Sequence, residues 1–138
     1  MKRLLTFPDS DIPLPTEAEL EILKVVWEQG RGTVGSVHFV LNEQRKRGYT
    51  TVLKLMQIML AKGLLTRLDK ERMHFYLAVV TETETRTAYV GEVARKLFTG
   101  SLFDLASFAL SMTPGNAAID EIRVVLEARD EGTVGPDG

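Results

Sequence analysis

The chain of 138 residues contains no cysteine, which excludes disulfides, thiolate metal sites and cysteine nucleophiles together. Its two histidines, His38 and His74, are too few for a histidine-rich catalytic metal centre. Proline is sparse and bunched: Pro8, Pro13 and Pro15 fall among the first 15 residues with Asp9 and Asp11, so residues 1–15 read as a flexible arm rather than an element. No run approaches the ~20 consecutive apolar residues of a membrane span. The opening MKRLLTFPDSD lacks the apolar stretch of a secretory signal. These absences predict a cytoplasmic protein with no membrane insertion. Nucleophile–base pairing, a glycine-rich phosphate loop and metal-ligand spacing are also missing, so neither an enzyme nor a cofactor is expected.

What is present is a 44% hydrophobic composition, enough for one core or for one compact domain with a smaller helical appendage. The net charge of −2 conceals a division. Up to residue 80, 12 Lys and Arg stand against 9 Asp and Glu; from residue 81 onward, 5 stand against 10. A mildly basic first part joined to an acidic second part suits a nucleic-acid module attached to a part that avoids phosphate.

A first helix begins at Thr16, which with Glu19 has the capping-box spacing. Ala18, Leu20, Leu23, Val26 and Trp27 recur at helical intervals until Gly30 and Gly32 end the run. Trp27 lies on that apolar stripe and is expected in the core rather than stacked on a base. Thr33 caps a second helix expected to reach about Arg47, with Val34, Val37, Val40 and Leu41 inward and His38 as a hydrogen-bonded structural residue. Its ending Arg45-Lys46-Arg47 places cations at a helix C-terminus, where they complement the dipole or reach phosphate.

The stretch Gly48 to Leu65, GYTTVLKLMQIMLAKGLL, reads as one short helix entered through a turn and left through a glycine into a strand. At ~100° per residue, Val52, Met56 and Met59 point within about 40° of one direction, with Leu53 and Leu60 at the edge. The opposite face carries Thr50, Lys54, Gln57, Ile58 and Ala61, with Thr51 at its margin. It has one cation and no carboxylate, whereas a solvated helix face usually carries both signs. Such a face is suited to a polar, anionic partner.

The period then changes. Leu64 to Leu68 is a short strand, Asp69 to Arg72 a polar turn, and Met73 to Val80 a second strand in which Phe75, Leu77 and Val79 alternate against His74, Tyr76 and Ala78. Three helices followed by a hairpin is the order of a winged helix-turn-helix, whose third helix enters the major groove, and Lys70 and Arg72 would sit at the wing tip. The fold class is therefore mainly α with a small β-hairpin, the winged domain occupying residues 16–80.

Residues 81–130 form a helical region. Thr81 and Glu84 repeat the capping-box spacing and open a helix to about Phe98, with Ala88, Val90, Val93, Ala94 and Leu97 apolar. Gly100 breaks it. Ser101 to Met112 is too apolar for a solvent-facing helix, Thr113-Pro114-Gly115 is a turn, and a last helix runs from about Ala117 to Arg129. Residues 131–138 form a mobile tail. Leu97, Leu102, Leu105, Phe108, Ala109, Ile122 and Leu126 need cover, either from the chain's own winged domain or from a second copy; because the winged domain already closes its own core, a homodimer is expected.

The segments TEAELEILKVVWE, TVGSVHFVLNE, GYTTVLKLMQIMLAKGLLTR and HFYLAVV together resemble the BlaI/MecI family of bacterial transcriptional repressors, the penicillinase-repressor type, from about Pro15 to Glu131. Tyr49-Thr50-Thr51-Val52-Leu53 and Lys62-Gly63-Leu64-Leu65 are the most specific parts. The resemblance implies a homodimeric repressor on an inverted-repeat operator in double-stranded DNA, with C-terminal helices making the dimer. It also implies induction by proteolysis, triggered by a membrane sensor metalloprotease that leads to a cut before a phenylalanine. Phe108 in LASFALS looks like that position, with Ser107 where the studied repressors carry asparagine. The copper-responsive CopY branch uses a cysteine metal site, which this chain lacks.

On this reading Thr50, Thr51, Lys54 and Gln57 face the major groove, Gln57 able to pair with adenine and Ile58 to meet a thymine methyl. Thr50 and Thr51 are equally suited to capping the helix and bonding phosphate. Arg45, Lys46, Lys62, Arg67, Lys70 and Arg72 are the expected backbone contacts. Two other classes fit the same sequence. One is a winged-helix module that binds an acidic protein. The other is a ligand-sensing repressor whose Phe98, Phe103 and Phe108 line a pocket.

Overall fold

The computed structural model describes residues 12–112, 115 and 117–132. The first eleven residues of the expected arm, Thr113 and Pro114 of the expected turn, and the tail from residue 133 lie outside the described residues. Within them the chain is mainly helical with one two-stranded hairpin. It divides into two compact units between Val93 and Ala94.

In the first unit, α1 spans Glu17–Gln29. Its capping box is complete: the Glu19 amide donates to Thr16 Oγ1 at 3.2 Å and the Thr16 amide to Glu19 Oε1 at 2.9 Å. The helix α2, Val34–Gln44, opens on a second reciprocal cap between Thr33 and Ser36, both bonds 3.0 Å. The third helix, α3, runs Tyr49–Lys62 and stops at Gly63. Gly63 has φ 85°, a left-handed conformation that a side chain would oppose, and it lets the Leu64 amide reach back to the Met59 carbonyl at 2.9 Å. Ile22, Leu23 and Val26 of α1, Val37 and Leu41 of α2, and Val52, Met56 and Met59 of α3 form one buried cluster with Leu64 and Leu65. Each such side chain contributes about 1.5–3 kcal/mol by leaving water.

The second helix ends three residues before the expected Arg47. Arg45 adopts an extended backbone, φ −159° and ψ 130°, and Asn42 Oδ1 accepts the Arg47 amide at 2.8 Å. Arg45 is therefore the C-cap, its amide donating to the Leu41 carbonyl at 3.0 Å, and Lys46 and Arg47 lie in the connection beyond it.

Strand β1, Leu65–Lys70, pairs antiparallel with β2, Met73–Ala78, in the register Leu65↔Ala78 to Lys70↔Met73. The four-residue turn expected at Asp69–Arg72 is two residues long. Asp69 and Lys70 continue the ladder opposite His74 and Met73, leaving Glu71 and Arg72 at φ 53° and 67°. The face of β2 that packs inward is the one with Tyr76, 3% exposed, whereas Val79 is 53% exposed. The cause is non-local. Gly32 bridges Tyr76 through two backbone bonds of 3.0 and 2.8 Å, and Trp27 Nε1 donates to the Val80 carbonyl at 2.9 Å. Trp27 packs against the core, as its stripe implies.

The helix α4, Glu82–Leu97, starts at a third capping box, Thr81 with Glu84. Its first turns belong to the first unit, where the Tyr89 hydroxyl donates to the Pro15 carbonyl. In the second unit, α5 spans Leu102–Ser111 and α6 spans Ala117–Gly132, three residues beyond the expected end. Ser101 caps α5 by accepting the Asp104 amide at 3.0 Å. No helix among the described residues is long and apolar enough to cross a membrane.

Candidate nucleic-acid interface

The roll of α3 about its own axis follows from its apolar stripe. Val52, Met56 and Met59 are fully buried, and Leu53 and Leu60 are half-buried beside them. With that face fixed, Thr50, Thr51, Lys54, Gln57, Ile58 and Ala61 are all exposed, Ile58 at 49%. No carboxylate interrupts them, because the helix sequence YTTVLKLMQIMLAK contains none. Gly48 is the N-cap and no side chain caps the helix, so neither threonine hydroxyl is spent on capping.

The two ends of α3 are tied to α1. Ahead of the helix, the Arg47 guanidinium pairs with the Glu21 carboxylate. Its carbonyl meets His38 Nε2 at 2.8 Å, which makes that nitrogen the donor, and the His38 ring stands edge-on to Tyr49 with centroids 5.7 Å apart. At the far end Lys62 Nζ donates to both oxygens of Glu19, at 2.8 and 3.0 Å. Glu19 is 2% exposed. Burial opposes its charge, yet the Lys62 and Thr16 hydrogen bonds and the Lys62 charge outweigh that and hold its carboxyl below the ordinary 4.5.

Along the wing, Arg67 Nε and His74 Nδ1 both reach Asp69 Oδ1, at 3.0 and 2.7 Å. The His74 hydrogen bond, offset in part by desolvation, keeps Asp69 below its ordinary value. Lys70 ends β1 and Arg72 occupies the turn; both are exposed. Arg45 and Lys46 are exposed in the connection before α3. Arg45, Lys46, Lys54, Lys70 and Arg72 thus form no ion pair among the described residues, while Lys62 and Arg67 do.

Sequence reasoning missed Glu19 and Glu21 as holders of α3, Tyr49 beside His38, and Arg31, whose guanidinium lies 4.5 Å from the Phe75 ring centre. The only signal for the first two was a pair of carboxylates on α1 with cations at the borders of α3. Spacing along one helix does not disclose that pairing.

In the second unit, Leu97 is 73% exposed, Phe108 56% and Leu126 57%; Ile122 and Ala109 are exposed, and Leu102 and Leu105 half-buried. Ser107 is exposed beside Phe108 on α5. Phe98 and Phe108 pack ring to ring at 5.7 Å, whereas Phe103 is exposed.

A model of the penicillinase repressor family matches residues 15–128. No curated protein matches the chain. Among solved structures, the chain resembles the DNA-binding domain of the repressor BlaI, with 24% identity and TM-score 0.48 over 54% of this chain and 92% of that one. Bacillus licheniformis BlaI in its monomeric form with the blaP half-operator gives the same identity and TM-score, over 54% of this chain and 90% of that one. Reduced MarR from E. coli matches at 15% identity and TM-score 0.44, over 83% of this chain and 76% of that one. By the family match over residues 15–128 and by its winged fold, this chain belongs to the penicillinase repressor family of DNA-binding transcriptional repressors.

Proposed function

We propose that the chain represses transcription as a cytoplasmic homodimer that reads an inverted-repeat operator with α3 of each copy. The observation that carries this reading is the exposed, carboxylate-free face of α3 opposite a fully buried stripe. In the major groove Gln57 pairs with an adenine edge, Ile58 meets a thymine methyl, and Thr50, Thr51 and Lys54 flank them. Arg45, Lys46, Lys70 and Arg72 bond phosphates and fix register without reading sequence. Arg67 adds to that set from its pair with Asp69, which stays on the wing surface.

The dimer is supported by the exposed apolar side chains of α5 and α6 and by Leu97, which water does not stabilise. The proposal includes release by cleavage between Ser107 and Phe108, supported by the exposure of both and by the family. Because both lie inside α5, that helix must unwind locally before a protease can hold the bond.

Titration against duplexes selected from a random pool tests the groove assignment. Gln57→Ala should lose about 1–3 kcal/mol at particular base pairs. Arg72→Ala should weaken all duplexes alike and lower the salt slope by about 1. If both variants bind every duplex as the parent does, α3 is not the reading helix.

A further inference from the structure

Apolar packing fixes how α3 rolls, and charged ties at its two ends add to what sets its position along its axis. Val52, Met56 and Met59 pack in the buried core, where close packing already opposes gross displacement. Direct readout demands more, since a bidentate amide–adenine pair is lost when the donor moves by about an ångström.

The structure supplies two charged ties that resist sliding, both from α1. Glu21 takes the Arg47 guanidinium two residues before α3 begins. Glu19 takes the last residue of α3, Lys62, with both carboxylate oxygens. Each tie is itself fixed. Glu19 is immobilised by the Thr16 capping box and is almost wholly buried. Arg47 is held through its amide by Asn42 and through its carbonyl by His38.

We infer that Glu19 and Glu21 are positioning residues for sequence readout: acting through Lys62 and Arg47, they latch both ends of the recognition helix to α1 and so set its axial register against the bases. This rests on the proposal that α3 reads the groove. It reassigns Lys62 from phosphate contact to the latch.

The test compares Lys62→Met, Lys62→Arg and Glu19→Gln with the parent chain. Affinities are measured for a duplex that the parent selects from a random pool and for a scrambled duplex of the same composition, across a salt series. A latch predicts that Lys62→Met and Glu19→Gln lose tenfold or more on the selected duplex. It predicts scrambled-duplex affinity within twofold of the parent and an unchanged salt slope for Lys62→Met. Lys62→Arg, which can still pair with Glu19, should restore most of the discrimination.

If Lys62→Met weakens both duplexes alike and lowers the salt slope by about 1, Lys62 is a phosphate contact and the latch is wrong. If discrimination is unchanged in every variant, the ties do not set register. If the parent itself prefers no duplex, the groove reading fails first and the latch falls with it. Circular dichroism on each variant separates loss of fold from loss of register, and Lys62, 36% exposed at its side chain, tolerates replacement better than Glu19.

Discussion

Glu19 shows how one side chain serves two levels of structure. It closes the α1 capping box and receives Lys62 from the end of α3. Its carboxyl sits below the ordinary 4.5 in the folded chain. The unfolded chain therefore takes up the proton more readily, and the stabilisation is complete above that ordinary value and lost as pH falls through the folded one. Glu19→Gln should cost about 2 kcal/mol near neutral pH, the scale of a charge-assisted hydrogen bond. The gap between parent and variant should narrow as pH falls below the ordinary 4.5 and through the lower folded value. Denaturant melts of both proteins at a series of pH values measure it; a gap that stays constant would show that the carboxylate charge is not what stabilises. The capping function was legible from Thr16 and Glu19 alone, because a box is a local pattern spanning four residues. The ion pair was not. Its partners are 43 residues apart, and only the packed core brings them together.

At the scale of elements, the helices were legible because their apolar periods are strong, and the errors fall where non-local contacts decide. The end of α2 moved because Asn42, His38 and Glu21 all engage Arg47 and draw it out of the helix. Which face of β2 packs inward, left open by the alternation alone, was set by the Gly32 bridge and by Trp27, neither of which belongs to the hairpin. The wing turn was misjudged for a chemical reason. A two-residue hairpin turn with both residues at positive φ favours Asn-Gly, whereas this chain places Glu71 and Arg72 there, so the usual signature was absent. The fold carries that strain at the wing tip, where Arg72 is the proposed phosphate contact. Replacing Glu71-Arg72 by Asn-Gly should stabilise the chain by about 1–2 kcal/mol. It should also weaken duplex binding, since Arg72 is lost. A melt that does not rise would mean the turn is already relaxed.

For the whole molecule, the proposed phosphate-contacting cations Arg45, Lys46, Lys70 and Arg72 lie in the first unit, before α3 and on the wing, while the exposed apolar side chains of α5 and α6 lie in the second. On the proposed reading one copy would bring few phosphate contacts, and because log affinity falls with salt in proportion to such contacts, pairing two copies would raise affinity at cellular ionic strength. Leu126 is exposed, so Leu126→Glu should leave each subunit folded yet yield monomers in sedimentation. No sequence pattern indicated the division inside α4.

The central claim, that paired copies of α3 read a duplex, is tested most directly by selecting bound DNA from a random pool with the parent chain and with Leu126→Glu. The parent should enrich an inverted repeat whose half-sites are centred about 10–10.5 base pairs apart or a multiple of that, and Leu126→Glu should enrich at most a weak single half-site. Enrichment of no common sequence by the parent, or of an asymmetric site that Leu126→Glu binds equally well, would contradict it.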